Sequence, residues 1–231
     1  MILHIAAPYI ATIVLALVAA AVRTLQLRPG TKHPRAPRFR YPYYATLLLT
    51  FYLAINLVTE AYAYHLAIRY VYNHHVYALN ILLGQVLLCA SLCHFAQRHP
   101  LMLSFSLLVQ PIYLYTYFAG QYWRPETVMP QSLYAGHNAL MAIAALLFCG
   151  IALYRQTRST QRPGNYFGLG LICLLYHFYL QLADSFQLSE TLAQLLHIND
   201  LILYLTICGS YYLAIAIYLI RQTLNTTRHG K

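Results

Sequence analysis

Few polar side chains stand inside the long apolar stretches of this sequence, and those few are the candidates for chemistry. Glu60 is the only carboxylate well within an apolar stretch, and Asn56 precedes it by one helical turn, so the two share a helix face. His177, Gln181 and Asp184 are spaced i, i+4 and i+7, which places a polar stripe on one face of another helix. Ionisable groups are costly in lipid, so both positions are candidate functional sites.

Other apolar stretches begin with polar residues at a similar depth. His137 and Asn138 open one stretch, and Asp200 opens another. A further apolar stretch contains Asn80 and Gln85, and the first apolar stretch contains His4. Because neighbouring stretches alternate in direction, we expect all of these groups near one end of a helical bundle. The predicted ligand-binding residues are Asn56, Glu60, His137, His177, Gln181, Asp184 and Asp200.

Three interpretations of this polar group remain open. The first is a hydrogen-bond network that fastens the helix ends, and the second is a ligand pocket with Glu60, His137 and His177 as polar anchors. The third is a metal site, because imidazole and carboxylate suit zinc or iron. It would use two or three of His4, Glu60, His137, His177 and Asp184. No pair of histidines has metal-ligand spacing on one helix, so the sequence assigns no metal and no cofactor.

The composition indicates an all-α polytopic membrane protein. Hydrophobic residues make up 60% of the chain and charged residues 9%, against about 25% charged in globular proteins. Each apolar stretch is close to the roughly 20 residues that span a bilayer as a helix, and is too continuous for barrel strands. We predict a single seven-helix bundle over 1–231. The predicted spans are about 2–22, 43–66, 76–96, 101–119, 133–154, 166–183 and 200–220.

The charges predict an orientation. If the N-terminus is outside, all of the 15 Lys and Arg residues except Arg69 and Arg124 fall in cytoplasmic segments, as the positive-inside rule requires. The five acidic residues then fall outside or in the outer part of a span. Seven spans place the C-terminus in the cytoplasm. The net charge of +10 is therefore explained by topology, and we expect no nucleic-acid partner.

Some functional classes are excluded by the residues themselves. The only lysines, Lys32 and Lys231, lie outside every predicted span, so a retinal Schiff base of the rhodopsin kind cannot form. The five cysteines all lie inside predicted spans, which gives no support to a disulfide framework.

Polar positions of the second, third and fifth spans carry a family resemblance. Asn56-x-x-x-Glu60, the run from Asn73 to Asn80 (Asn-His-His-x-Tyr-x-x-Asn) and Asn138 resemble the uncharacterised small seven-helix inner-membrane proteins of Bacteroidota. Those proteins commonly carry an acidic residue where Gln85 stands here, which is a departure at a candidate site. The resemblance implies a multi-pass protein of the bacterial inner membrane, and it implies no activity.

The function predicted from these observations is a receptor-like or scaffold module of the bacterial inner membrane. Its outward-facing polar pocket would bind a small ligand or a lipid headgroup. Its basic inner face would contact membrane lipids or a separate cytoplasmic signalling protein. The alternative is an intramembrane metal-dependent hydrolase or lipid-modifying enzyme that uses the same histidines and carboxylates. The oligomeric state is not predicted.

Overall fold

A computed structural model describes residues 2–28, 40–69, 73–124, 126–158, 166–186, 194–195 and 199–229. Within these ranges the chain is helical, with turns and no strand. The long helices are α1 (Ile2–Leu27), α2 (Arg40–Ile68), α3 (His74–Phe95), α4 (Pro100–Ala119), α5 (Gln131–Arg158), α6 (Phe167–Phe186) and α7 (Asp200–His229). The predicted all-α, seven-helix membrane class is confirmed.

Each helix is long enough for a bilayer, since 20 residues at about 1.5 Å per residue reach about 30 Å. In the described part of the chain, six helices combine this length with high mean hydropathy, and α6 contributes a shorter apolar segment, Phe167–Ala183. The helices extend beyond the predicted spans. For example, α1 continues past residue 22 to Leu27, so Arg23 lies in the helix rather than in the connection. Its guanidinium is buried and donates to the Gln26 side chain at 3.3 Å.

Six helices form a closed ring, and the seventh lies outside it. Around the ring, α1 packs on α2, α2 on α3, α3 on α5, α5 on α6, α6 on α7, and α7 on α1. The remaining helix, α4, lies in the groove between α3 and α5. Its large side chains Leu107, Leu108, Ile112 and Tyr115 are the most exposed of that helix, at 66% or more. Such a surface is stable against lipid, because hydrocarbon solvates apolar side chains as well as a protein interior does.

The bundle has two chemically different ends. We call the Glu60 end the one at which α1 begins and α2 finishes. The opposite end, which we call the arginine end, carries Arg23, Arg98, Arg155 and Arg221. The charge pattern predicts that the Glu60 end is outside, and this orientation stays a prediction.

Small and aliphatic residues hold the arginine half of the bundle together. Ala16, Ala144, Ala145 and Ala216 are buried and let helices approach closely. At Gly170, an added Cβ would lie 2.5 Å from the ring of Phe148, so α5 and α6 touch there through a glycine. The buried amide and imidazole side chains lie instead in the other half, at Asn56, Gln85, His137, Asn138 and His177.

Candidate functional site

Glu60 joins three helices at the Glu60 end. Its carboxylate accepts a hydrogen bond from the Tyr9 hydroxyl of α1 at 3.0 Å and another from the Tyr77 hydroxyl of α3 at 3.3 Å. The side chain is partly buried. Among the described residues, these two neutral hydroxyls are its only hydrogen-bond partners. We call Tyr9, Glu60 and Tyr77 the Glu60 cluster.

Asn56, one turn deeper on the same face of α2, forms a second junction. Its side-chain oxygen accepts hydrogen bonds from Asn80 of α3 and from the Tyr212 hydroxyl of α7, both at 3.1 Å. Its amide nitrogen donates to the Tyr52 carbonyl at 2.8 Å. Both ends of the amide are therefore engaged, which is the pattern of a structural fastening.

Two buried histidines form the other polar group. The Nδ1 of His137 in α5 lies 2.8 Å from Oε1 of Gln85 in α3, and the Nδ1 of His177 in α6 lies 3.2 Å from Oδ1 of Asn138 in α5. The two imidazole rings are 5.9 Å apart and nearly perpendicular. All four side chains are less than 9% exposed. We call these four residues the histidine cluster.

The amide contacts decide which ring nitrogen carries the proton. An amide oxygen only accepts, so each Nδ1 donates, and in the neutral ring each Nε2 keeps a lone pair. Burial in a dry bundle favours the neutral ring, because a charged imidazolium without an anion is costly there. The cluster thus presents two fixed acceptor nitrogens within the bundle.

Three polar atoms around His137 have no hydrogen-bond partner within the described part of the chain. They are Nε2 of Gln85, Nε2 of His177 and the hydroxyl oxygen of Tyr113, whose ring lies 5.9 Å from that of His137. Each belongs to a side chain that is at most 4% exposed. Buried polar atoms in proteins are nearly always paired, so an unpaired group of three is unusual.

Tyrosine rings connect the Asn56 junction with the histidine cluster. Tyr176 and Tyr211 stack face to face at 3.9 Å, and Tyr176 also touches the His177 ring at 5.1 Å. Tyr211 contacts Tyr212 at 5.1 Å, and Tyr212 contacts Tyr9 at 6.0 Å. A continuous row of rings therefore crosses the interior and joins α1, α6 and α7.

Thiol and thioether groups lie one turn below the histidine cluster. The Cys89 thiol contacts the Met141 sulfur, and the Cys173 thiol contacts the Tyr211 hydroxyl, both at 3.7 Å. All five cysteines are free and buried. Across the described residues, no three His, Cys, Asp or Glu side chains are arranged to hold a metal ion.

The structure divides the predicted site residues into groups. Asn56 and Glu60 lie together, His137 and His177 lie together, and no hydrogen bond joins the two pairs. Gln181 lies one turn beyond His177 and is partly buried. Asp184 and Asp200 lie in α6 and α7, but their side chains, like that of His4, are outside the described set. Whether the seven residues form one ligand site stays a prediction.

Three contributors were outside the predicted site: Tyr9, Tyr77 and Tyr113. Tyrosine is so frequent in this chain, at 23 residues, that no single one is distinguished by its type. Tyr77 did carry a signal, because it lies one turn before Asn80 on the same face of α3. Gln85 was recognised only as a polar residue of the third span, although it orients His137.

Comparison with known protein families, curated proteins and solved structures finds no match to this chain. Its function is therefore inferred from the arrangement of its side chains.

Proposed function

We propose that this integral membrane protein is a receptor-like binding module whose ligand site is the histidine cluster, reached from the Glu60 end. The ligand is a small polar molecule or the polar part of a lipid headgroup. The observation that carries the proposal is the set of three unpaired buried atoms around His137: Gln85 Nε2, Tyr113 Oη and His177 Nε2.

This observation favours binding over a purely structural network. At the Asn56 junction both ends of the central amide are paired, with Tyr52, Asn80 and Tyr212, and one buried atom, Asn80 Oδ1, has no partner among the described residues. The histidine cluster instead leaves donors and an acceptor unused at a cost of about 1–3 kcal/mol for each buried group. A ligand that pairs these atoms removes that cost, so the same atoms that weaken the free bundle supply affinity.

The unpaired atoms define what the ligand must offer. Gln85 Nε2 donates, so the ligand needs an acceptor such as a carbonyl or hydroxyl oxygen. His177 Nε2 accepts, so the ligand also needs a donor hydrogen. Tyr113 can do either. A small neutral molecule with adjacent donor and acceptor groups meets all three demands, whereas a free anion would face the lone pair of His177 in a dry interior.

The other parts of the function follow from the charge distribution. In the orientation predicted from the sequence, the Glu60 end faces the bacterial periplasm and the arginine end faces the cytoplasm. The arginine end then contacts anionic lipid headgroups or a separate cytoplasmic signalling protein, because the described chain consists of the bundle and short connections.

Thermal unfolding of the purified protein in detergent tests the site. The probes are acetamide and N-methylacetamide, each of which carries a donor and an acceptor group, and N,N-dimethylacetamide serves as an acceptor without a donor. A probe at 100 times its Kd raises the unfolding free energy by about 2.7 kcal/mol. We expect stabilisation by at least one donor–acceptor probe, and we expect His177→Ala to abolish it.

The control variant is His94→Ala, which removes a partly buried histidine of α3 near the arginine end. It should leave the probe's stabilisation intact. Accessibility gives a second readout that needs no ligand. In a cysteine-free background, a cysteine placed at His177 should react with a small water-soluble thiol reagent added outside cells. The proposal is contradicted if the cysteine at position 177 never reacts with the reagent and no probe stabilises the protein.

A further inference from the structure

The Glu60 cluster has a charge problem that the histidine cluster does not have. Glu60 is the only carboxylate in the middle of a described helix, and the described chain places neither lysine nor arginine against it. On α2, the next basic residues are His65 and Arg69, both exposed and more than one turn away. Two phenol hydroxyls stabilise a carboxylate by hydrogen bonding, but they bring no positive charge.

Tyrosines from three helices lie near this carboxylate. Tyr9 and Tyr77 touch it directly, and Tyr204 of α7 lies close enough to interact with it electrostatically. Tyr64 lies one turn further out on the same face of α2. The faces of aromatic rings carry partial negative charge and attract cations, and a carboxylate within an aromatic enclosure is the usual environment of bound organic ammonium groups.

There is space for such a group beside the cluster. A groove of about 290 Å³ between α1 and α2 is lined by Ala6, Ala7, Ile10, Ala11 and Tyr64. The alanines of α1 have short side chains that leave this groove open, and Tyr64, one turn beyond Glu60 on α2, lines it. The lining is almost entirely apolar apart from the Tyr64 hydroxyl, which suits the methyl or methylene groups of an alkylammonium ion.

The same features disfavour a metal ion. Calcium and magnesium require several oxygen ligands, commonly with more than one carboxylate, and Glu60 is the only carboxylate of the cluster. A weakly hydrated organic cation needs fewer direct ligands, because ring faces replace its water.

We propose that Glu60, Tyr9, Tyr77 and Tyr64 form a binding site for an organic ammonium group at the Glu60 end of the bundle. The site is distinct from the histidine cluster, with which it shares no hydrogen bond. The ammonium group belongs either to a free amine or to the headgroup of an aminolipid, and both sources present the same chemistry to the carboxylate and the rings.

Isothermal titration with choline tests the proposal on the full chain in nanodiscs of phosphatidylglycerol. The decisive comparison is with 3,3-dimethylbutan-1-ol, which has the shape of choline without its charge. We expect choline to bind at least about tenfold more tightly than this alcohol. Two results overturn the proposal without any variant. One is equal affinity of the protein for the two compounds. The other is no binding of choline together with no effect of an aminolipid in the nanodisc.

Variants locate the site. Glu60→Gln should weaken choline binding at least about tenfold, and Tyr9→Phe, which keeps the ring and removes one hydroxyl, should weaken it less. Glu126→Gln, which neutralises an exposed carboxylate in the α4–α5 connection, should bind choline as the native protein does. His177→Ala should also bind choline normally, so failure here is distinguishable from failure of the histidine-cluster proposal. A Glu60→Gln variant that is folded and binds choline with native affinity overturns the assignment.

The lipid arm distinguishes the two sources. In nanodiscs that contain phosphatidylethanolamine, an aminolipid ligand should compete and raise the apparent Kd of choline severalfold, and Glu60→Gln should be insensitive to the lipid. An unchanged Kd assigns the site to free amines.

The side chain of His4 is outside the described set, and the variant His4→Ala tests its role. Native affinity for choline confirms that the carboxylate acts without His4. A tenfold loss of affinity overturns the assignment to Glu60 and the tyrosines alone.

Discussion

Replacing Asn56 by leucine is the sharpest test of the interhelical junction. The leucine side chain has similar size, so the change removes hydrogen bonds without opening a large cavity. Two interhelical bonds disappear, from Asn80 and from Tyr212. Both donors are then left in a bundle interior where water cannot replace the lost partner. The third bond, to the Tyr52 carbonyl, is local to α2 and its loss leaves that carbonyl with its helical partner.

The magnitude follows from the number of bonds between helices. Hydrogen bonds between membrane helices contribute about 0.6 kcal/mol on average and about 1.7 kcal/mol at most. Loss of two therefore predicts a decrease in the free energy of unfolding of about 1.2 to 3.4 kcal/mol. Tyr212→Phe removes one of the two, so we expect about half of this effect.

Equilibrium unfolding by sodium dodecyl sulfate in mixed micelles, followed by far-ultraviolet circular dichroism, measures these values. A double-mutant cycle of Asn56→Leu with Tyr212→Phe should give a coupling of about 0.6 kcal/mol or more. Tyr115→Phe is the control, because Tyr115 on α4 is 76% exposed and should tolerate the loss of its hydroxyl. A coupling indistinguishable from zero, with Asn56→Leu as stable as the native protein, would refute the junction.

Three further predictions concern packing, thiols and topology. In the same micelle assay, Gly170→Ala should lower the free energy of unfolding by about 1–3 kcal/mol, because the added Cβ would lie 2.5 Å from the Phe148 ring. Gly136→Ala is the control: its Cβ would meet no atom within 4 Å, so the change should be neutral or stabilising. Cys173, which is fully buried, should react with maleimide only after denaturation, and rapid reaction in the folded protein would contradict the packing of α6. Cysteines placed at Arg35 and Glu190 should be labelled from opposite sides of the membrane, and labelling of both from one side would contradict the predicted threading of the seven spans.

The two polar groups of the interior differ in how completely they are paired. At the Asn56 junction both ends of the Asn56 amide are paired and join α2, α3 and α7, and Asn80 Oδ1 has no partner among the described residues. The histidine cluster uses only one nitrogen of each ring and leaves His177 Nε2 unpaired. Since both lie in the same half of the bundle, the difference does not arise from depth. On this difference rests the proposal that the histidine cluster, rather than the Asn56 junction, binds the ligand.

Much of the site was predictable from helical spacing within single segments. The shared face of Asn56 and Glu60 is confirmed by their common contacts with α3, and the depth of His137 and His177 agrees with their positions in the sequence. Their partners were not predictable, because a partner depends on which helices are neighbours. Loops long enough to allow several packing orders leave that choice open, and the placement of α4 outside the ring brings α3 against α5.

The sequence by itself determined the class of the protein, the number of its helices and the concentration of polar groups toward one end, because lipid penalises unpaired polar backbone and charge strongly enough to show in composition. Tertiary structure alone decided that Glu60 meets tyrosines rather than histidines and that His137 meets Gln85. Those pairings depend on distances between helices that are far apart in the chain, and helical periodicity carries no information about them.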